Sequence, residues 1–204
     1  HACDKHGLSR VAVVDFDVHH GNGTQGIFDT DPRVMYLSSH QMPLYPDTGY
    51  ANERGVGNIA NAPLPPGCDS EAFRRIWREQ LLPTLDSFRP QLLFISAGFD
   101  AHKRDPLAQV ELEAGDFAWI TRELVAIARR HGDGRIVSML EGGYGLAALR
   151  EATVARYADD RLVRAARRHA AATITFGHGE ADVTALHAVR SEHGGSLVTA
   201  PLMG

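Results

Sequence analysis

The chain has 204 residues, 44% hydrophobic and 23% charged, the balance of a globular protein with room for one sizeable domain. A formal net charge of −4 removes the electrostatic case for nucleic acid or an anionic membrane as partner. The two cysteines, Cys3 and Cys68, lie far apart without metal-type spacing, which argues against a disulfide framework or a thiolate zinc site.

The opening stretch HACDKHGLSR reads as the frayed end of a helix and a connecting loop, so the sequence is expected to begin inside a domain. Val11–Val14 is a continuous apolar run of strand length, and VVDFDVHHGNGT follows from residue 13. Strand alternation puts Asp15, Asp17 and His19 on one face and His20 on the other. Burying unpaired carboxylates is costly, and a bound cation is the usual remedy. A second run, Val34–Leu37, leads into Ser38, Ser39 and His40. The segment 58–69, with three prolines and a glycine, reads as loop.

Phe73, Ile76, Trp77, Leu81, Leu85 and Phe88 recur at helical spacing across Ser70–Phe88, with Asp69 or Ser70 as N-cap. Pro83 should kink that helix or end it early. The run Leu92–Ile95 leads into SAGFDAH, with Asp100 and His102. A second helix is expected over Gly115–His131, ended by Gly132, and a further strand over Ile136–Leu140 leads into EGGY with Tyr144. Runs that are apolar throughout suit strands buried on both faces, so the pattern predicts an α/β protein with an open, mostly parallel sheet between helices. The polar motifs then all fall at the carboxyl ends of strands, where open α/β sheets bind their ligands.

Asp17, His19 and Asp100 make a first shell suited to zinc, with Fe²⁺ also possible, and three protein ligands leave an open coordination position. Each aspartate taken alone also reads as a cap after its strand. Gly142 and Gly143 would let the backbone approach the site, and the Tyr144 hydroxyl could donate to a developing oxyanion. A tyrosine after two glycines is also an ordinary turn.

DFDVHHGNGTQ, SAGFDAHKRDPLA and LEGGY, in this order between about Val11 and Arg150, resemble the histone deacetylase family with its acetylpolyamine amidohydrolase relatives. The resemblance implies an arginase-like three-layer αβα fold, here N-terminally incomplete, and a zinc amide hydrolase acting on acetyl-lysine or acetylated polyamine. It makes Asp17, His19 and Asp100 the metal ligands, Tyr144 the transition-state donor, and Asp15 the carboxylate that orients a catalytic histidine. It also implies potassium on Asp15, on Ser38 and on the main chain of Asp17, His19 and Ser39. A second such ion would lie on carbonyls near Phe28 and Val34. Tyr45 and Leu107 match walls of the acyl-lysine channel, next to Gly142 and Gly143.

Several positions depart from the family pattern. Its upstream Pro-Gly-His-His motif, the source of the general base and acid, is absent, and His19-His20 is not that motif. His40 and His102 are the conceivable substitutes. Asn22 stands where some members have an aspartate, and Gly145 follows Tyr144 where an aspartate is usual. The expected division is a partial catalytic domain over 1–150 and a helix with an irregular tail over 151–204. The 204 residues alone are expected to be weakly active or inactive. The competing readings are a metal-binding pseudoenzyme or interaction module on the same fold, and an arginase-like manganese hydrolase, which needs more bridging carboxylates than occur. No apolar stretch of spanning length and no secretory leader are found, so a cytoplasmic protein is expected. The sequence does not define the oligomeric state.

Overall fold

The computed structural model describes residues 1–158 and 174–176. In chain order the elements are α1 (Ala2–His6), β1 (Val11–Asp15), α2 (Asn22–Phe28), β2 (Val34–Gln41), β3 (Ile59–Leu64), α3 (Ser70–Ile76), α4 (Leu82–Phe88), β4 (Leu92–Ala97), α5 (Ala114–His131), β5 (Ile136–Leu140), α6 (Leu146–Ala158) and β6 (Ile174–Phe176). The strands form one sheet in the order β3-β2-β1-β4-β5-β6, and every pairing is parallel. Among the described residues no helix is long and apolar enough to cross a membrane.

Parallel strands buried on both faces favour continuous apolar runs; β1 and β2 are buried from end to end and turn polar only towards their carboxyl ends, at Asp15 and from Ser38 to Gln41. On one face Ala12, Val14, Met35, Leu37, Leu93 and Ile95 join Phe73, Trp77, Leu85, Phe117, Ile120 and Leu124 in the main core. On the other, Val13, Val34, Tyr36 and Ile59 form a smaller cluster with Cys3 of α1 and Phe28 of α2 packed against it. The result is three layers, helix, sheet and helix.

The strand order decides where a ligand can sit. From β1 the chain builds outward to β2 and β3, then crosses back to lay β4 on the opposite side of β1. A crevice opens at the carboxyl ends of strands where the order reverses in this way. Here that place lies between β1 and β4, which are paired through Asp15 and Ser96.

Three expectations change. The segment read as loop contains β3, which pairs with β2 from Tyr36↔Ile59 to Gln41↔Leu64. Pro63 is tolerated because β3 is the edge strand, where a missing N–H need not break a ladder. Ser38, Ser39 and His40 lie within β2 rather than after it, since pairing with β3 prolongs the strand to Gln41. The helix over Ser70–Phe88 passes through a π-helical turn at Trp77–Leu81, and Pro83 falls in the first turn of α4. A wider turn just ahead of proline accommodates its ring and missing donor without ending the helix. Asp69 is the N-cap, accepting from the Ala72 N–H at 2.9 Å.

Gly132 follows α5 as expected, but with φ of −132° it is no left-handed cap. A Cβ there would lie 2.7 Å from the Gln91 carbonyl oxygen, so close approach to the start of β4 is what requires glycine. Leu146–Ala158 is helical, and of the tail beyond it only the backbone of β6 lies within the described residues.

Candidate functional site

Strand β1 stops at Asp15, and the next residues turn across the carboxyl ends of β1 and β4. Because the alternation ends there, Asp15 does not join Asp17 and His19. Its carboxylate accepts from the Tyr36 hydroxyl at 3.0 Å and from the Asp17 N–H at 3.0 Å. The expectation of one shared face for all three is corrected on that point. Asp100 takes the third place instead: ligand-type atoms of Asp17, His19 and Asp100 all lie within 4.8 Å of one another.

The His19 Nδ1 stands 3.0 Å from Asp100 Oδ2 and 3.1 Å from Asp17 Oδ1. Hydrogen bonding to Asp100 and then to Asp17 pushes its pKa up to about 10. Burial pushes the Asp100 carboxyl up to about 6, against the pull of His19. Two buried carboxylates facing one imidazole form a pocket that demands positive charge. A divalent cation with oxygen and nitrogen ligands meets that demand, so the residues fit the metal that the resemblance implies. The other carboxylate atoms are spoken for. Asp100 Oδ1 accepts from the Val18 N–H at 2.9 Å, and Asp17 Oδ2 accepts from the Gly142 N–H at 2.8 Å.

Glycine is what lets three loops meet at this point. A Cβ at Gly98 would land on the Asp17 carboxylate, and one at Gly142 on the carboxylates of Asp100 and Asp17. Gly98 belongs to SAGFD, yet no pattern in the sequence marked it as part of the cradle. The Gly142 carbonyl accepts from the Phe99 N–H at 2.7 Å, which ties the EGGY turn to the Asp100 loop. Tyr144 follows with its side chain 58% exposed. Partial burial and then the Asp100 and Asp17 charges raise its pKa.

Asp15 and Ser38 are paired in register and buried, with Ser39 beside them. Burial, and next the neighbouring Asp17 charge, raise the Asp15 pKa well above the ordinary carboxylate value. Ser38 Oγ lies 2.9 Å from His40 Nδ1, and Ser39 Oγ accepts from the Trp77 indole N–H at 3.1 Å. The second monovalent-cation position is different. Asn58 Nδ2 donates to the carbonyls of Phe28 (2.7 Å), Val34 (2.7 Å) and Asp31 (3.1 Å), while its Oδ1 accepts from the Val56 N–H at 3.2 Å. A side-chain amide occupies the point on which these carbonyls converge, so they do not fit a cation there. Nothing in the sequence marks Asn58, since its partners are main-chain carbonyls.

The two substitute bases are sequestered. His40 is fully buried between Ser38 and the Gly49 carbonyl, which lies 3.0 Å from its Nε2, and burial lowers its pKa to about 4. His102 is stacked on Phe117 and accepts at Nδ1 from the Arg104 N–H at 3.1 Å. His20 turns away from the cluster, as expected, towards Thr48 and Gln25. Tyr45 is 81% exposed and Leu107 is also exposed, so among the described residues neither lines an enclosed passage.

The family model described as the histone deacetylase domain matches residues 1–159. The chain belongs to the histone deacetylase family. A probable deacetylase of Archaeoglobus fulgidus is 47% identical over 146 residues, which are 70% of this chain and 41% of that protein. A histone deacetylase-like amidohydrolase of Pseudomonas aeruginosa is 42% identical over 146 residues, covering 69% of this chain and 38% of its own length. The crystal structure of an acetylpolyamine aminohydrolase from Burkholderia pseudomallei superposes with a TM-score of 0.66 at 32% identity, over 74% of this chain and 44% of that one. The fold is thus the deacetylase-type αβα sandwich, and the chain spans about two fifths of the length of these curated relatives. The match starts at residue 1 and runs through the whole of α6 to residue 159, wider at both ends than the motifs alone suggested.

Proposed function

We propose that this chain is the metal-bearing part of a deacetylase that hydrolyses the acetyl amide of acetyl-lysine or an acetylated polyamine. One observation carries the reading: Asp17, His19 and Asp100 converge where the strand order reverses, with the EGGY turn hydrogen-bonded to Asp17. Asp17, His19 and Asp100 would hold one zinc-type ion, with Fe²⁺ an alternative of similar ligand preference. When bound, such an ion supplies Lewis-acid polarisation of the amide carbonyl. The Tyr144 phenol donates a hydrogen bond to the oxygen on which negative charge develops. Asp15 stays a buried acceptor, its two oxygens already bonded to Tyr36 and Asp17. Potassium, in this reading, takes the single position beside Asp15, Ser38 and Ser39, because Asn58 fills the second.

Proton transfer to the leaving amine needs a positioned acid, worth typically 10²–10⁴-fold. His40 and His102 are both committed elsewhere, so the described residues supply the metal ligands and the oxyanion donor without that acid. The 204 residues assayed alone should therefore turn over acetylated amines slowly or not at all, the behaviour also expected of a metal-binding module. In this proposal the catalytic segment, read from the sequence as 1–150, runs on through α6 to the end of the family match at residue 159.

The test is metal analysis of purified protein beside a release assay on acetyl-lysine peptides and acetylpolyamines. About one equivalent of metal is expected from the three-ligand shell, and Asp100→Ala should lose it almost entirely. Full occupancy in that variant would overturn the assignment.

A further inference from the structure

Tyr144 poses a mechanical problem. Its ring is largely exposed, so packing does little to aim the phenol, and Gly142 and Gly143 just before it leave the backbone free to swing. Something must hold the peptide. On one side Asp17 does so, accepting from the Gly142 N–H. On the other side stands Asp105, a buried carboxylate from the loop after β4.

Asp105 Oδ2 accepts from the N–H groups of Tyr144 at 2.7 Å and Gly145 at 2.9 Å. Its Oδ1 accepts from the Leu107 N–H at 3.1 Å. One carboxylate thus joins three backbone donors from two loops. The Tyr144 and Gly145 donors lie just ahead of the first turn of α6, where a negative charge is favoured by the helix dipole. Asp105 is itself held, since its N–H donates to the His102 carbonyl at 2.7 Å. Gly145 packs against the Arg104 backbone, where a Cβ would lie 3.0 Å from the carbonyl oxygen. An ion pair between Arg104 and Glu151 closes the same loop onto α6.

We propose that Asp105 is a positioning residue for Tyr144: its buried carboxylate clamps the Tyr144 and Gly145 amides and so fixes where the phenol points. The same carboxylate sets the Leu107 turn, which couples the rim of the site to its oxyanion donor. This inference rests on the role given to Tyr144 above.

The test has two arms. In metal-loaded chain, amide exchange at Tyr144 and Gly145 should be slow, fast in Asp105→Ala, and intermediate in Asp105→Asn, which keeps one acceptor oxygen but loses the charge. Exchange within α5 and metal content should not change. In enzyme carrying the complete domain, Tyr144→Phe should lower kcat by roughly 10²–10³, and Asp105→Ala by roughly 10²-fold, the scale of a misplaced group, with KM unchanged. Added to Tyr144→Phe, Asp105→Ala should cost less than about threefold more, because residues acting through one group are not additive. Unaltered exchange at both amides, or additive losses in the double variant, would overturn the clamp. Absence of turnover in every form would sink the deacetylase reading instead, and amide exchange would still decide the clamp.

Discussion

The floor and the rim of the site are built on different principles. The floor is made of Asp17, His19, Asp100, Gly98 and Gly142, brought together by neighbouring strand ends and tied by hydrogen bonds of 2.8 to 3.1 Å. The side chains proposed for the rim, Tyr45, Leu107 and Tyr144, are all exposed and carried on loops. The floor residues lie within a few positions of strands held in register, whereas Tyr45 and Leu107 sit on longer loops placed by whichever groups they meet. In the proposed reading the floor holds the metal, while the rim combines an oxyanion donor that has to be clamped, Tyr144, with substrate contacts that tolerate adjustment, Tyr45 and Leu107.

The largest effect should come from breaking the floor. Gly98→Ala drives a methyl group into the Asp17 carboxylate and should destabilise the fold by roughly 1–3 kcal/mol, the usual scale of overpacking. Metal occupancy should fall with it. Thermal melts with metal analysis would check this, and a variant as stable and as occupied as the parent would show that the cradle has slack.

The next effect is a matter of pH. In metal-free protein His19 titrates near 10 rather than 6.5, and Asp100 near 6 rather than 3.8. Both shifts are upward, so the folded chain keeps protons that the unfolded chain releases, and stability falls as pH rises. The His19 contribution is complete below about 6.5 and is lost as pH climbs through 10. The apo melting temperature should decline across that window. Metal must displace the His19 proton, so calorimetry near pH 7.5 in buffers of different ionisation enthalpy should show about one proton released per ion. An apo protein whose melting point rises over the same range would contradict the arrangement of the floor.

The smallest effect is expected at the rim. Tyr45→Ala and Leu107→Ala should leave stability within about 0.5 kcal/mol, as for exposed positions generally. Any loss should appear in kcat/KM towards acetyl-lysine peptides rather than in metal content. A large drop in melting temperature for either variant would show that the rim is as firmly built as the floor.

Much of the floor was legible in the sequence because its residues follow strands whose apolar runs are unambiguous. Val11–Val14 and Leu92–Ile95 mark β1 and β4, and their polar sequels supply Asp17, His19 and Asp100. The adjacency of those strands was not legible, since strand order depends on crossovers that leave no local trace. β3 escaped notice because IANAPL carries a proline and few β-branched residues, and only its pairing with β2 makes it a strand. Asp105 and Asn58 escaped because their partners are backbone groups, and a side chain bonded to main chain requires no particular residue type opposite. Asp15 departs from the face of Asp17 and His19 because the two-residue alternation stops where the strand ends.

The position of the floor between β1 and β4 also sets the order of events as the chain folds. His19 and Asp100 are separated by 81 residues, and nothing local brings them together. Contacts of such long range pay the closure entropy of the whole intervening loop, so they are expected to form late in folding. On a ribosome the first two ligands would emerge well before the third, and the nascent chain would expose an unfinished, low-affinity site throughout that interval. Metal capture by the three ligands would then mark the moment when the two halves of the sheet join.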